Sequence, residues 1–171
     1  MKSIMLTVVS LMLLPLAACA QSGADFSGTW VANVAESEPA VDTNYWFGRI
    51  PNVVPGQPNL RVEQDGDTIS VYEEARVLTR YDYPAVYVAD GKAHSVTSSN
   101  TGMAQETVTT SWDEAALTIE TVKPWGGMPG NITLHSKEVW RLSSDGNKLS
   151  ITTTHSSPAK ELSYTRVYNR E

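Results

Sequence analysis

From Leu60 onward, apolar and polar side chains alternate along the chain, the period of a strand with one buried face. Leu60, Val62 and Gln64 keep the pattern up to Asp65-Gly66-Asp67, and Ile69 and Val71 resume it beyond. An Asp-Gly step between two alternating runs predicts a hairpin, because these residues accept the backbone angles of a tight turn. The same rhythm predicts a Tyr-rich strand over 77–88, broken by Pro84, and a strand through His94 and Val96 after the turn Asp90-Gly91-Lys92. A hairpin of 105–112 and 117–122 follows, and then strands over 131–142, 148–155 and 160–170. Upstream, Phe26, Gly28, Trp30, Ala32 and Val34 share one face of a first strand. No stretch carries a helical period. Nine or ten short strands separated by turns predict an antiparallel barrel or sandwich.

Two segments break the rhythm. Residues 35–59 hold four prolines and the cluster Tyr45-Trp46-Phe47, which predicts a lid or a plug over one end of a barrel. Residues 124–130 form a second wide loop around Trp125. Trp46 and Trp125 would flank a cavity mouth or cap an exposed core edge.

Parity names the side chains that share the apolar face. On 105–112 they are Val108, Thr110 and Trp112; on 131–142, Ile132, Leu134, Ser136, Glu138, Trp140 and Leu142. On 148–155 they are Leu149, Ile151, Thr153 and His155; on 160–170, Leu162, Tyr164, Arg166 and Tyr168. An interior of this kind holds Arg166, Glu138, His155, Tyr164 and Tyr168 among apolar walls that include Trp112 and Trp140. Charges away from water must be paired or titrate. Two arrangements satisfy this. Glu138 and Arg166 neutralise each other and close the barrel, or Arg166 and a tyrosine face a cavity and hold the head of an amphipathic ligand. His94 follows a turn and is expected at the surface, and His135 shares an outward face with Thr133 and Lys137.

Composition narrows the function classes. The chain of 171 residues is of one-domain length, 41% hydrophobic and 19% charged, with formal net charge -6. No basic run is present, which argues against nucleic acid as a partner. The single cysteine, Cys19, excludes an intrachain disulfide, and three scattered histidines lack the spacing of a zinc site. No G-x-S-x-G elbow or glycine-rich phosphate loop is present, so no cofactor or metal is expected.

The first residues have the parts of an export signal. Lys2 supplies the positive start, and residues 4–14 are apolar but too short to span a bilayer. Leu16-Ala17-Ala18-Cys19 resembles the lipobox of bacterial lipoproteins. That resemblance implies a signal peptide over 1–18, a diacylated Cys19, a tether over 19–25 and a folded domain over 26–171. With Ala20 after the cysteine, it also implies an outer-membrane lipoprotein facing the periplasm. The alternative is soluble export, by a cut before Gln21.

The folded part carries two further resemblances. Phe26-Ser27-Gly28-Thr29-Trp30 resembles the first barrel strand of lipocalin-like (calycin) families, and with the later D-G-K, W-D and E-x-W-x-L patterns the chain resembles small exported bacterial proteins of that type. The resemblance implies an all-β, antiparallel up-and-down barrel of eight to ten strands. It also implies that Trp30 is packed across the closed end beneath a cation of the last strand, Arg166 or Arg170. Thr165-Arg166-Val167-Tyr168 is similar to the C-terminal Arg-x-Tyr of intracellular fatty-acid-binding proteins, which implies that Arg166 and Tyr168 grip a ligand carboxylate. The helix-turn-helix lid of that family is replaced here by the proline-rich segment. The function expected is an envelope lipoprotein binding a small hydrophobic or acidic amphipathic molecule through Arg166, Tyr168, Tyr164, His155, Glu138, Trp112 and Trp140. The alternatives are a small barrel enzyme using His155 and Glu138 as acid and base, or a ligand-free structural module.

Overall fold

The computed structural model describes residues 23–38, 57–74, 84–97, 105–125, 132–156 and 161–171. Cys19 with the export signal, the Trp46 cluster and residues 126–131 lie outside them, as does most of the segment read as strand before Pro84.

The alternating runs form ten strands. These are β1 (Gly28–Ala32), β2 (Leu60–Asp65), β3 (Thr68–Glu73), β4 (Ala85–Val88), β5 (Ala93–Thr97), β6 (Gln105–Asp113), β7 (Ala116–Trp125), β8 (Ile132–Leu142), β9 (Lys148–Ser156) and β10 (Glu161–Arg170). All belong to one antiparallel sheet in the order β4-β3-β2-β1-β10-β9-β8-β7-β6-β5. Each strand pairs with its sequence neighbours except that β4 and β5 do not pair with each other, and β10 returns to pair with β1. The result is an up-and-down meander curled into a barrel, with the one unpaired seam, among the described residues, between β4 and β5. The turn joining those two strands bridges the seam. The Ala89 amide donates to the Asp67 carbonyl at 2.7 Å, and the Gly91 amide donates to the Thr110 carbonyl at 2.9 Å.

The two ends differ. Tight turns at Gly66, Gly91, Glu114 and Gly146, each with positive φ, lie at one end. The chain also enters β1 and leaves β10 there: Arg170 donates to the Asn147 carbonyl from its amide and to the Gly146 carbonyl from its side chain. The opposite end, where β1, β3, β5, β7 and β9 finish, is called the mouth.

At the tight end the interior is filled. Phe26, Trp30, Ile69, Leu117, Leu149 and Tyr168 are fully buried. Phe26 stacks on Trp112 with centroids 5.9 Å apart and meets Trp140 edge-on at 5.9 Å. Trp30 closes this floor, its indole N–H donating to the Phe26 carbonyl at 2.9 Å, and the Arg170 guanidinium lies 4.3 Å from its ring. The register Trp30–Arg170 makes Arg170, not Arg166, the covering cation. Val34 departs from the face expected for it. The strand ends at Ala32, and Val34 lies in a turn, 62% exposed.

Gly28 is the residue that admits this cover. Its φ is 138°, and a Cβ there would stand 3.0 Å from an Arg170 terminal nitrogen. Gly28→Ala should therefore strain the backbone and displace the guanidinium, for a loss of about 1–3 kcal/mol. Equilibrium urea unfolding measures it, and an unchanged midpoint would show that the close approach has no energetic consequence.

Candidate functional site

Above the floor the inner wall changes character. Cross-strand register places Thr110, Ile119, Glu138, Thr153 and Tyr164 in one row across β6, β7, β8, β9 and β10. The next row toward the mouth is Val108, Thr121, Ser136, His155 and Leu162. Parity thus delivers Glu138, His155, Tyr164, Arg166 and Tyr168 to one lumen, as the sequence pattern predicts.

Glu138 is the hub. One carboxylate oxygen accepts from Arg166 at 3.3 Å, and the other accepts from the Trp140 indole N–H at 3.0 Å. The Arg166 fork, which the fatty-acid-binding resemblance assigns to a ligand carboxylate, is thus engaged by a carboxylate of the chain itself. Burial works against the Arg166 charge, but Tyr168, Glu138, Tyr164 and Glu73 outweigh it and shift the group upward, so it stays a cation. His155 packs against Tyr164 with ring centroids 5.9 Å apart. Burial pulls its pKa below the ordinary histidine value, against the pull of Glu138 and with that of Arg166, which favours the neutral ring. Burial likewise raises the Tyr168 hydroxyl; it lies near the Gln57 side chain but outside hydrogen-bonding geometry.

The seven residues expected at a ligand site separate into two depths. Trp112, Trp140 and Tyr168 belong to the floor, Trp140 being 2% and Tyr168 0% exposed. Glu138, His155 and Tyr164 stand above it, and Arg166, level in register with Ile151 and Trp140, extends to Glu138; all four are part-exposed. The inward-facing Glu138 and Arg166 side chains keep 25% and 23% of their surface accessible. The barrel is therefore packed at its tight end and reached by solvent above it.

Four inner-wall residues escaped the sequence analysis. Glu106 and Lys123 form a second ion pair on β6 and β7, with side chains 17% and 25% exposed. Tyr87 faces inward from β4, across the seam from β6, and Glu73 ends β3 as an exposed residue on the same side of its strand as Val71. The Tyr87 hydroxyl is raised far above the ordinary tyrosine value by burial, then by Glu138 and Glu73, with Glu106 adding to them. Parity alone would have found Glu106, two residues before Val108, and Lys123, two after Thr121. Their pairing needs the β6–β7 register, in which Thr107 faces Val122. His135 lies on the outer surface, whereas His94 is half-exposed and bonded to the Asp90 carboxylate at 2.9 Å.

No protein-family model matches the chain, and neither does any curated protein. Solved structures do. Zebrafish ileal bile acid-binding protein, in complex with cholic acid, matches with TM-score 0.58 and 16% identity over 85% of this chain and 98% of that one. The fluorescent protein UnaG, in a single-residue mutant form, matches with TM-score 0.54 and 20% identity over 85% of this chain and 96% of its own. At these identities the likeness is one of fold, and it agrees with the ten-stranded antiparallel meander: an all-β up-and-down barrel.

Proposed function

We propose that the barrel binds a small amphipathic molecule in the upper lumen, with its polar group against Glu138, Arg166, Tyr164 and His155. One observation carries the reading: charged side chains point inward yet keep about a quarter of their surface accessible, Glu138 at 25% and Arg166 at 23%. Sites of this kind are concave and mostly apolar, with a few convergent polar groups. The apolar part here is Val108, Leu134 and Leu162 of the wall above the floor. The solved neighbour holding cholic acid supports the reading by analogy of fold.

The test is a Nile red titration of the full chain with Ser136→Trp as the blocking variant. Ser136 is a part-exposed inner-wall residue opposite His155, so an indole there fills the lumen without entering the floor. Saturable binding by the wild type and a loss of about tenfold or more in the variant are expected. Equal affinity in the two, with circular dichroism showing both folded, would place the dye elsewhere and end the reading.

We further propose that the protein is an exported lipoprotein held by an acylated Cys19 at the outer membrane, facing the periplasm. The support is the Leu16-Ala17-Ala18-Cys19 sequence after an apolar segment too short to span. Phe26 and Arg170 both lie at the packed end, so such an anchor would hold that end to the membrane and direct the mouth away. Cys19→Ser should move the protein from the membrane to the soluble fraction or block its processing. Unchanged partitioning on fractionation would rule the anchor out.

A further inference from the structure

The lumen carries two ion pairs, and they are far apart. Glu138 faces Ile119 in the β7–β8 register, and Lys123 lies four residues farther along β7, toward the mouth. At the rise of a strand this separates the backbone positions of the two pairs by about 13 Å along the wall. Between them the wall is mixed, with Val108, Thr121, Ser136 and His155.

Beside the inner pair are polar atoms without partners. The hydroxyls of Thr110 and Thr153, in residues each 1% exposed, have no hydrogen-bond partner among the described residues, and neither does Arg166 Nε. Both threonines share the Glu138 row on the inner face. Buried polar atoms are normally bonded, because desolvation without a partner is costly.

The charge balance says what kind of group. Two carboxylates, Glu106 and Glu138, face two cations, Lys123 and Arg166, with the exposed Glu73 adding negative charge near Arg166, and each cation already has a carboxylate within ion-pair distance. A single carboxylate entering this wall would have to displace Glu138 from Arg166 or lie among like charges. A hydroxyl or amide donates to a carboxylate and accepts from a cation, so it can join either pair without breaking it.

We propose that the lumen takes an uncharged amphipathic molecule with a hydrogen-bonding group at each end, one at Glu138–Arg166 beside the two threonines and the other at Glu106–Lys123, and that it discriminates against single-headed carboxylates. This rests on the lumen-binding reading above and specifies its ligand class.

Displacement of Nile red from the full chain by dodecanol, dodecanediol and dodecanoate tests it. Dodecanediol should displace at about tenfold lower concentration than dodecanol, and dodecanoate should be the weakest. Glu106→Gln/Lys123→Met should bring dodecanediol to the level of dodecanol while leaving dodecanol unchanged. Lys123→Gln alone, which keeps a polar side chain, repeats the comparison if the double variant does not fold by circular dichroism. Dodecanoate displacing best, diol and alcohol displacing alike on the wild type, or a variant weakening both equally would each overturn the two-headed, uncharged assignment. Failure of the wild type to bind Nile red at all would instead overturn the lumen-binding reading on which it rests, so the two failures are distinguishable.

Discussion

Trp30→Ala is expected to lower folding stability by about 3–5 kcal/mol, the range for deleting a large aromatic from a core that cannot collapse around the hole. Trp30 is fully buried at the packed end, where its floor partners are fixed from several strands at once. Its register neighbours are Leu60 on β2 and Arg170 on β10, so the cavity would open where the first and last strands meet. The Phe26 carbonyl would also lose the indole donor. Arg170→Met isolates the cation. It removes a cation–π contact of about 0.5–2 kcal/mol, together with bonds to the Gly146 and Ser27 carbonyls. The smaller effect should therefore come from the arginine. Equilibrium urea unfolding followed by far-ultraviolet circular dichroism reads both. A Trp30→Ala loss below about 1 kcal/mol would mean that the floor is not the core that holds the barrel closed.

The second large effect concerns the hub. Removing one partner of a buried ion pair leaves an uncompensated charge, typically at a cost of about 3–5 kcal/mol. Glu138 and Arg166 are about a quarter exposed, so water recovers part of that loss. Glu138→Leu should therefore destabilise by about 2–3 kcal/mol. Arg166 would lose its carboxylate with its Nε already unpartnered, and the Trp140 indole would lose its acceptor. Glu138→Leu/Arg166→Met should regain most of the loss, because an apolar pair of similar volume needs no compensation. The double-mutant cycle measures the coupling directly. Zero coupling with an unchanged single variant would show that the two charges are solvated independently and do not act as a pair.

The pairing of Glu138 with Arg166 also bears on the enzyme alternative. Both Glu138 oxygens already accept hydrogen bonds, one from Arg166 and one from Trp140, and His155 is held toward its neutral form by burial. The arrangement suits holding a polar group in place. Its side chains serve as acceptors and donors in the wall.

Much of this was legible in the chain itself, for a local reason. Side chains in a strand alternate with period two, so the apolar positions Leu149 and Ile151 carry Thr153 and His155 to the same face, and Leu162 carries Tyr164, Arg166 and Tyr168. Asp-Gly steps marked the turns because a few residue types tolerate positive φ, and Gly66, Gly91 and Gly146 do adopt it. The strand count, the all-β class and the inward set follow from such short-range rules. Register does not, since any two alternating strands can be slid by two residues without exposing an apolar face. The tertiary structure alone decided that Arg170 covers Trp30 while Arg166 turns to Glu138. It decided equally that Lys123 meets Glu106, that the buried Tyr87 feels the charges of Glu138 and Glu73, and that the seam falls between β4 and β5. Each depends on which strands become neighbours when the sheet curls, a long-range outcome that packing of the Phe26–Trp30–Trp112–Trp140 floor selects and no local pattern encodes.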